Sequence, residues 1–226
     1  MGDPVFVLIH SPLAGPTSWL PVADEFARRG QEAVVPSLLG VPAAPAPQWR
    51  HVPEVVRAAT AETAAPVLLV GHSGAGPLLP AVAAALTVEV AALVFVDSFL
   101  PPANGSVRLA PPGLMDQLRA LASDGVLPPW SSWFGEDTMR ELVPDDRLRA
   151  TLNEEMPRLP LSYFEASVPL AGRLEGPALR LPPVQRRALR RERRPGPGRR
   201  LGGGRDARRR TPGDGERPDR RHRRAA

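Results

Sequence analysis

Gly71-His72-Ser73-Gly74-Ala75-Gly76 is the stretch on which the reading of this chain turns. It follows the apolar run Pro66-Val67-Leu68-Leu69-Val70 and opens the helix-compatible run Pro77 to Leu86. A strand, a tight glycine turn, a serine and a helix, in that order, describe a nucleophile elbow. A serine held on so sharp a turn needs small neighbours, because bulky ones would clash with the strand and helix it joins. The helix N-terminus behind it presents N–H groups and a favourable dipole to a developing oxyanion. One letter departs from the usual G-x-S-x-G, since position 75 is alanine and glycine follows at 76. The alternative reading of the stretch is a glycine-rich turn in some other doubly wound fold.

Working outward, continuous apolar runs suit strands covered on both faces. Val5 to Ile9 and Ala91 to Val96 are such runs, and Ala33 to Val35, within Gln31 to Pro36, is a shorter one. Helical patterns lie between them, over Ser18 to Arg29 ending at Gly30, and over Glu54 to Thr63. This alternation predicts βαβ units and a mostly parallel sheet with helices on both faces. Residues 112–157 read differently, as helices over about 113–122 and 145–156 flanking a loop with Pro128, Pro129, Trp130 and Trp133.

Taken together, residues 3–170 resemble the α/β-hydrolase superfamily, in particular its small, cofactor-free esterase and hydroxynitrile-lyase-like branch. Val5 to His10 is similar to the family's first strand. Ser11-Pro12-Leu13-Ala14-Gly15-Pro16-Thr17-Ser18-Trp19 is similar to its "HG…G…W" oxyanion loop. Gln31 to Gly40 resembles the next strand with its "P-D-L-x-G" exit, and Ala91 to Asp97 the strand after the nucleophile helix. The resemblance implies an α/β-hydrolase fold over 1–182 with a small helical cap at about 101–160. It implies Ser73 as nucleophile and a small-molecule ester, amide or thioester as substrate. A lyase of the same branch uses the same constellation. The cap tryptophans then either line an acyl or aromatic pocket or simply pack the cap onto the core.

The resemblance, together with the chemistry a serine requires, implies the remaining site residues. A serine hydroxyl is a poor nucleophile without a base, and in this fold the order along the chain is serine, acid, histidine. Asp97, at the end of its strand, is the candidate acid; a turn-capping role is the alternative. Gly74 N–H supplies one oxyanion donor. The resemblance places the second donor in the loop after His10; Pro12, at the position many relatives use, has no N–H, so either Leu13 supplies it or the hole is half built. The resemblance also implies that His10 supports the oxyanion loop, and His72 adjoins the serine with its side chain expected to point away from it. His51 precedes the serine. His222 remains, within Arg220-Arg221-His222-Arg223-Arg224, where neighbouring cations disfavour a catalytic base and nothing docks the segment.

A break in composition bears on that histidine. The chain has 226 residues and no lysine, so all 29 basic residues are arginine. Residues 1–172 carry 10 arginines and 18 acidic residues, whereas residues 173–226 carry 19 and 6. From Arg190 onward Leu201 is the only large aliphatic residue. Such a segment buries too little apolar surface to offset its ordering entropy, and residues 183–226 are expected to be a disordered tail. Three readings compete for it: a polyanion-binding arm attached to a non-catalytic hydrolase-fold protein, an inert solvated tail, or a shifted reading frame. The last is favoured. A lysine-free chain points to a GC-rich gene, whose other frames are rich in Arg, Gly, Pro and Ala codons. The change also falls where the hydrolase fold still needs its last strands and catalytic histidine, which are expected to be missing.

Other classes find no support in the sequence. There is no cysteine, so neither a disulfide framework nor a thiol nucleophile is expected. Neither metal-ligand spacing nor a Walker-type phosphate loop occurs, so no metal or cofactor is expected. No apolar run suits a membrane span or signal peptide, and cytoplasm is the expected location. The expected partner is a small-molecule substrate, with nucleic acid conceivable only through the tail.

Overall fold

A computed structural model describes residues 2–110, 113–134 and 136–170. The expectations for residues 183–226, including the disordered tail, the missing last strands and His222, lie outside the described residues.

Four parallel strands form the central sheet, in the order β2-β1-β3-β4. They are β1 (Val5–Ile9), β2 (Ala33–Val34), β3 (Val67–His72) and β4 (Val90–Val96). Helix α1 (Leu20–Arg28) links β1 to β2, α2 (His51–Ala59) links β2 to β3, and α3 (Leu79–Ala85) links β3 to β4. Alternation along the strands sorts the helices onto two faces. Val5, Val7, Ile9, Val67 and Leu69 pack on one side with Val52 and Val56 of α2 and with Leu79 and Val82 of α3. Leu8 and Val70 point to the other, where Trp19 and the α1 residues Ala23 and Phe26 cover them. Phe6 stacks on Phe26 there, with ring centroids 4.3 Å apart. Sequence patterning therefore anticipates the sheet, its parallel sense and its double cover.

Helix limits shift where proline intervenes. The run from Pro77 is not α-helical at its start: residues Ser73–Leu78 form a 3-10 turn and α3 begins at Leu79. Pro77 and Pro80 have no N–H to donate, so α-type bonding becomes regular only past them. Helix α2 starts three residues earlier than the pattern suggests, at His51, because Pro53 falls in its first turn, where no N–H is required. It ends at Ala59, and the hydroxyl of Thr60 turns back to the carbonyl of Val56 at 3.0 Å.

Beyond β4 the chain builds a second layer. It contains β5 (Gly105–Arg108), α4 (Leu114–Leu121), β6 (Val126–Leu127), α5 (Glu136–Leu142), α6 (Asp146–Glu154), β7 (Leu159–Pro160), α7 (Leu161–Glu165) and β8 (Ser167–Leu170). Strands β5 and β8 pair antiparallel, as do β6 and β7. The expected helices at about 113–122 and 145–156 correspond to α4 and α6; α5 and the two small antiparallel strand pairs are additions. Trp133 packs against the main core and donates its indole N–H to the carbonyl of Pro128 at 3.0 Å. Trp130 packs with Met139, Leu152 and Met156 in a separate small cluster. Among the described residues no helix is long and apolar enough to cross a membrane.

Candidate active site

The central strands β1 and β3 are adjacent, with Ile9 opposite Gly71. Their carboxyl ends therefore release two loops at the same level. One begins at His10 and the other is the Ser73 turn.

Ser73 has φ 52, in the left-handed region that non-glycine residues seldom occupy. The glycines around it are required by close approach. A Cβ at Gly71 would stand 2.9 Å from Cδ2 of Leu79, so this glycine lets α3 pack down onto β3. A Cβ at Gly76 would collide with Ser98 and stand 3.1 Å from Cδ1 of Phe95. Ala75, in contrast, is fully buried and its methyl group fits the core. The position that admits no side chain is thus 76 rather than 75, which explains the one-letter departure in the sequence. The carbonyl of Ser73 accepts a hydrogen bond from Oγ of Ser98 at 2.6 Å.

The β1 loop lies against this turn, since a Cβ at Gly74 would meet Cδ of Pro12 at 3.2 Å. His10 is almost wholly buried at the root of the loop. Its Nε2 accepts the backbone N–H of Leu38 at 2.9 Å, and Nδ1 lies 2.8 Å from the carbonyl of Ser11. The first contact fixes the tautomer, so Nδ1 carries the proton and donates to Ser11. Burial pushes the imidazole below its usual pKa, against the bond to Ser11 and the Glu155 carboxylate. His10 is a neutral brace.

Ser11, Pro12, Leu13, Ser73, Gly74, Asp97 and Ser98 meet around a cavity of about 170 Å³. Phe99, Leu109, Leu114 and Phe164 close its apolar side. Asp97 terminates β4 with φ 46 and shares this cavity with Ser73. Leu13 N–H points to Oγ of Ser11 at 3.3 Å. Gly74 N–H lies in the first turn of the short helix, where helical N–H groups have no partner within the helix. His72 lies apart from the hydroxyl, edge-on to Trp19 at 6.0 Å on the α1 face. Burial lowers its pKa, opposed by the carboxylate of Asp97. The apolar walls come from Phe99, Phe164 and leucines; neither Trp130 nor Trp133 lines this cavity. Ser11, Ser98, Phe99 and Phe164 were not singled out from sequence. Ser11 and Ser98 each neighbour a flagged residue, but no spacing rule marks them.

A strained serine between β3 and α3, facing a loop braced by a buried histidine, is accompanied by a match to the Alpha/beta hydrolase family over residues 6–214. The chain belongs to that family. No curated protein matches it. Among solved structures, this alpha/beta hydrolase is similar to an extracellular alpha/beta-hydrolase from a Paenibacillus species, described as sharing structural and functional homology with tobacco salicylic acid binding protein 2. The identity is 19%, the TM-score 0.55, and the match covers 74% of this chain and 72% of the other. It is also similar to the pyrethroid hydrolase PytH with BIF, at 19% identity and TM-score 0.53, over 76% and 73% of the two chains. At these identities the likeness is one of fold.

The histidines of this hydrolase are each engaged elsewhere among the described residues. His10 braces the loop and His72 faces Trp19. His51 contacts the carbonyl of Pro45 at 3.1 Å and Glu54 at 3.4 Å.

Proposed function

We propose that this chain is a serine hydrolase that transfers a small acyl group from an ester, amide or thioester through a Ser73 acyl-enzyme. One observation carries the reading: Ser73 sits at φ 52 at the mouth of the cavity that Gly74 and Leu13 also line. The strained turn exposes the hydroxyl, and Gly74 N–H follows it as the first oxyanion donor. Leu13 N–H becomes the second once its long bond to Ser11 is exchanged for the oxyanion. Asp97 is the candidate acid. The cavity, about 170 Å³ and largely apolar on one side, favours a short or single-ring acyl group.

We further propose that turnover by this chain is slow. Ser73 needs a general base, and each imidazole of the described residues has another partner. Loss of triad members leaves a residual acceleration of roughly 10³–10⁴-fold over water from binding and oxyanion stabilisation. A fluorophosphonate probe tests the nucleophile, with labelling expected at Ser73, slow where no base activates it, and none in Ser73→Ala. Turnover of a short-chain p-nitrophenyl ester tests the base. It is expected to be low and unchanged by His222→Ala. Robust turnover abolished by His222→Ala would show that the arginine-rich segment supplies the base.

A further inference from the structure

The loop that forms the oxyanion side of the site is anchored at two points, the first of them His10, directly after β1 of the central sheet. The second comes from the far layer of the molecule. Glu155, directly after α6, accepts the backbone N–H of Thr17 on Oε2 at 2.9 Å and the Thr17 hydroxyl on Oε1 at 2.7 Å. Both oxygens are thus used on one residue of the loop, and Thr17 is itself buried. Gly15 provides the clearance, because a Cβ there would stand 2.7 Å from Cδ of Glu155.

Glu155 gains nothing from its own helix in this position. It stands at the carboxyl end of α6, which has no basic residue in its last turn, and a negative charge there opposes the helix dipole. Its charge is satisfied instead by the loop, through charge-assisted bonds. Neighbouring Met156 and Leu152 tie this end of α6 to Met139 and Trp130, so the carboxylate is the polar joint between the α5–α6 pair and the loop. Between the two anchors the chain is short and tightly turned. Ala14 N–H bonds to the carbonyl of Ser11 at 3.0 Å, and the Ser18 hydroxyl to the carbonyl of Gly15 at 2.7 Å. Ser11, Pro12 and Leu13, which line the cavity, lie within this span.

We infer that the Glu155–Thr17 pair is a latch that holds the 11–17 loop in register with the Ser73 turn, so that seating of α6 and completion of the oxyanion hole are one event. Glu155 is a positioning residue, acting through Thr17 and the loop rather than on substrate. The catalytic half of this inference rests on the reading of Ser73 as nucleophile.

The test measures hydrogen exchange of residues 11–19 and of β3, together with the rate of fluorophosphonate labelling at Ser73. It uses the full chain and its Glu155→Gln, Thr17→Val and Thr17→Ser variants. Glu155→Gln and Thr17→Val are expected to speed exchange of 11–19 by about tenfold or more, the scale of a lost hydrogen bond to a charged group. Exchange of β3 should stay unchanged and labelling should slow, while Thr17→Ser, which keeps the hydroxyl, should behave as the parent. Unchanged exchange of 11–19, or an equal rise in β3, would overturn the latch. Faster exchange of 11–19 with unaltered labelling would overturn its positioning role. An unlabelled parent would instead overturn the catalytic half of the inference, leaving the exchange comparison to decide the latch.

Discussion

Ser98 donates its hydroxyl to the backbone carbonyl of Ser73 at 2.6 Å and at the same time occupies the space a side chain at residue 76 would need. One small polar residue at the end of β4 therefore both ties down the strained turn and sets its glycine requirement. Ser98→Ala removes the bond and keeps the bulk. It is expected to cost about 1 kcal/mol of stability, the usual net worth of such a bond. It should also slow fluorophosphonate labelling of Ser73, because the turn is no longer held. Urea unfolding and the labelling rate check the two effects separately.

The strain at Ser73 has a measurable counterpart. Ser73→Gly relieves a left-handed φ of 52 at a position where glycine bears no penalty. The variant is expected to gain about 1 kcal/mol in stability, the lower end of what such backbone strain stores. It should take up no fluorophosphonate. A loss of stability on urea unfolding would show that the turn is not strained.

Residues 75 and 76 should lose stability through opposite changes, removal of a methyl group at 75 and addition of one at 76. Gly76→Ala forces the new Cβ into Ser98 and Phe95 and is expected to destabilise by about 1–3 kcal/mol, as overpacking does. Ala75→Gly vacates a buried methyl site and should cost only about 1 kcal/mol. A Gly76→Ala variant that loses no stability in urea unfolding would contradict the placement of the clearance at residue 76.

His10 predicts an acid-side loss of stability. Its folded pKa lies below the usual 6.5 because burial disfavours the cation. The unfolded chain therefore binds more protons between the folded pKa and 6.5, and stability rises with pH across that window. The contribution is complete above 6.5 and is lost as pH falls from there through the folded value. Protonation also removes the lone pair on Nε2 that accepts Leu38 N–H. His72, shifted the same way, adds to the slope. Urea midpoints measured across this range should fall with acidity in the parent and fall less in His10→Gln.

Much of this molecule was legible in the sequence because its longer sheet strands are continuous apolar runs. The four sheet strands and the serine turn follow from that pattern, as does the two-faced helical cover. The layer after β4 was less legible. β6 and β7 are two residues each, and their pairing depends on contacts more than thirty residues apart. Helix α5 is short, with one turn of apolar spacing. At the site, Ser73 and Gly74 are marked by local backbone demands, and His10 by its place at a strand end. Ser98 and Glu155 are marked by nothing local: each earns its role from a partner distant in the chain, 25 residues away for Ser98 and 138 for Glu155.

The sheet order β2-β1-β3-β4 has a consequence for the order of events during synthesis. Every strand that cradles Ser73 is encoded before residue 97, whereas Glu155 emerges from the ribosome much later. A nascent chain stalled shortly after β4 clears the exit tunnel is expected to hold the parallel scaffold first, and with it the serine turn beside His10 and Ser98. Its 11–17 loop has one anchor only. Protease protection of stalled chains should therefore appear in two steps, first over β1 to β4 and later over residues 11–17. The serine turn would be in place early in translation, and the 11–17 loop would be fastened only after α6 had left the tunnel.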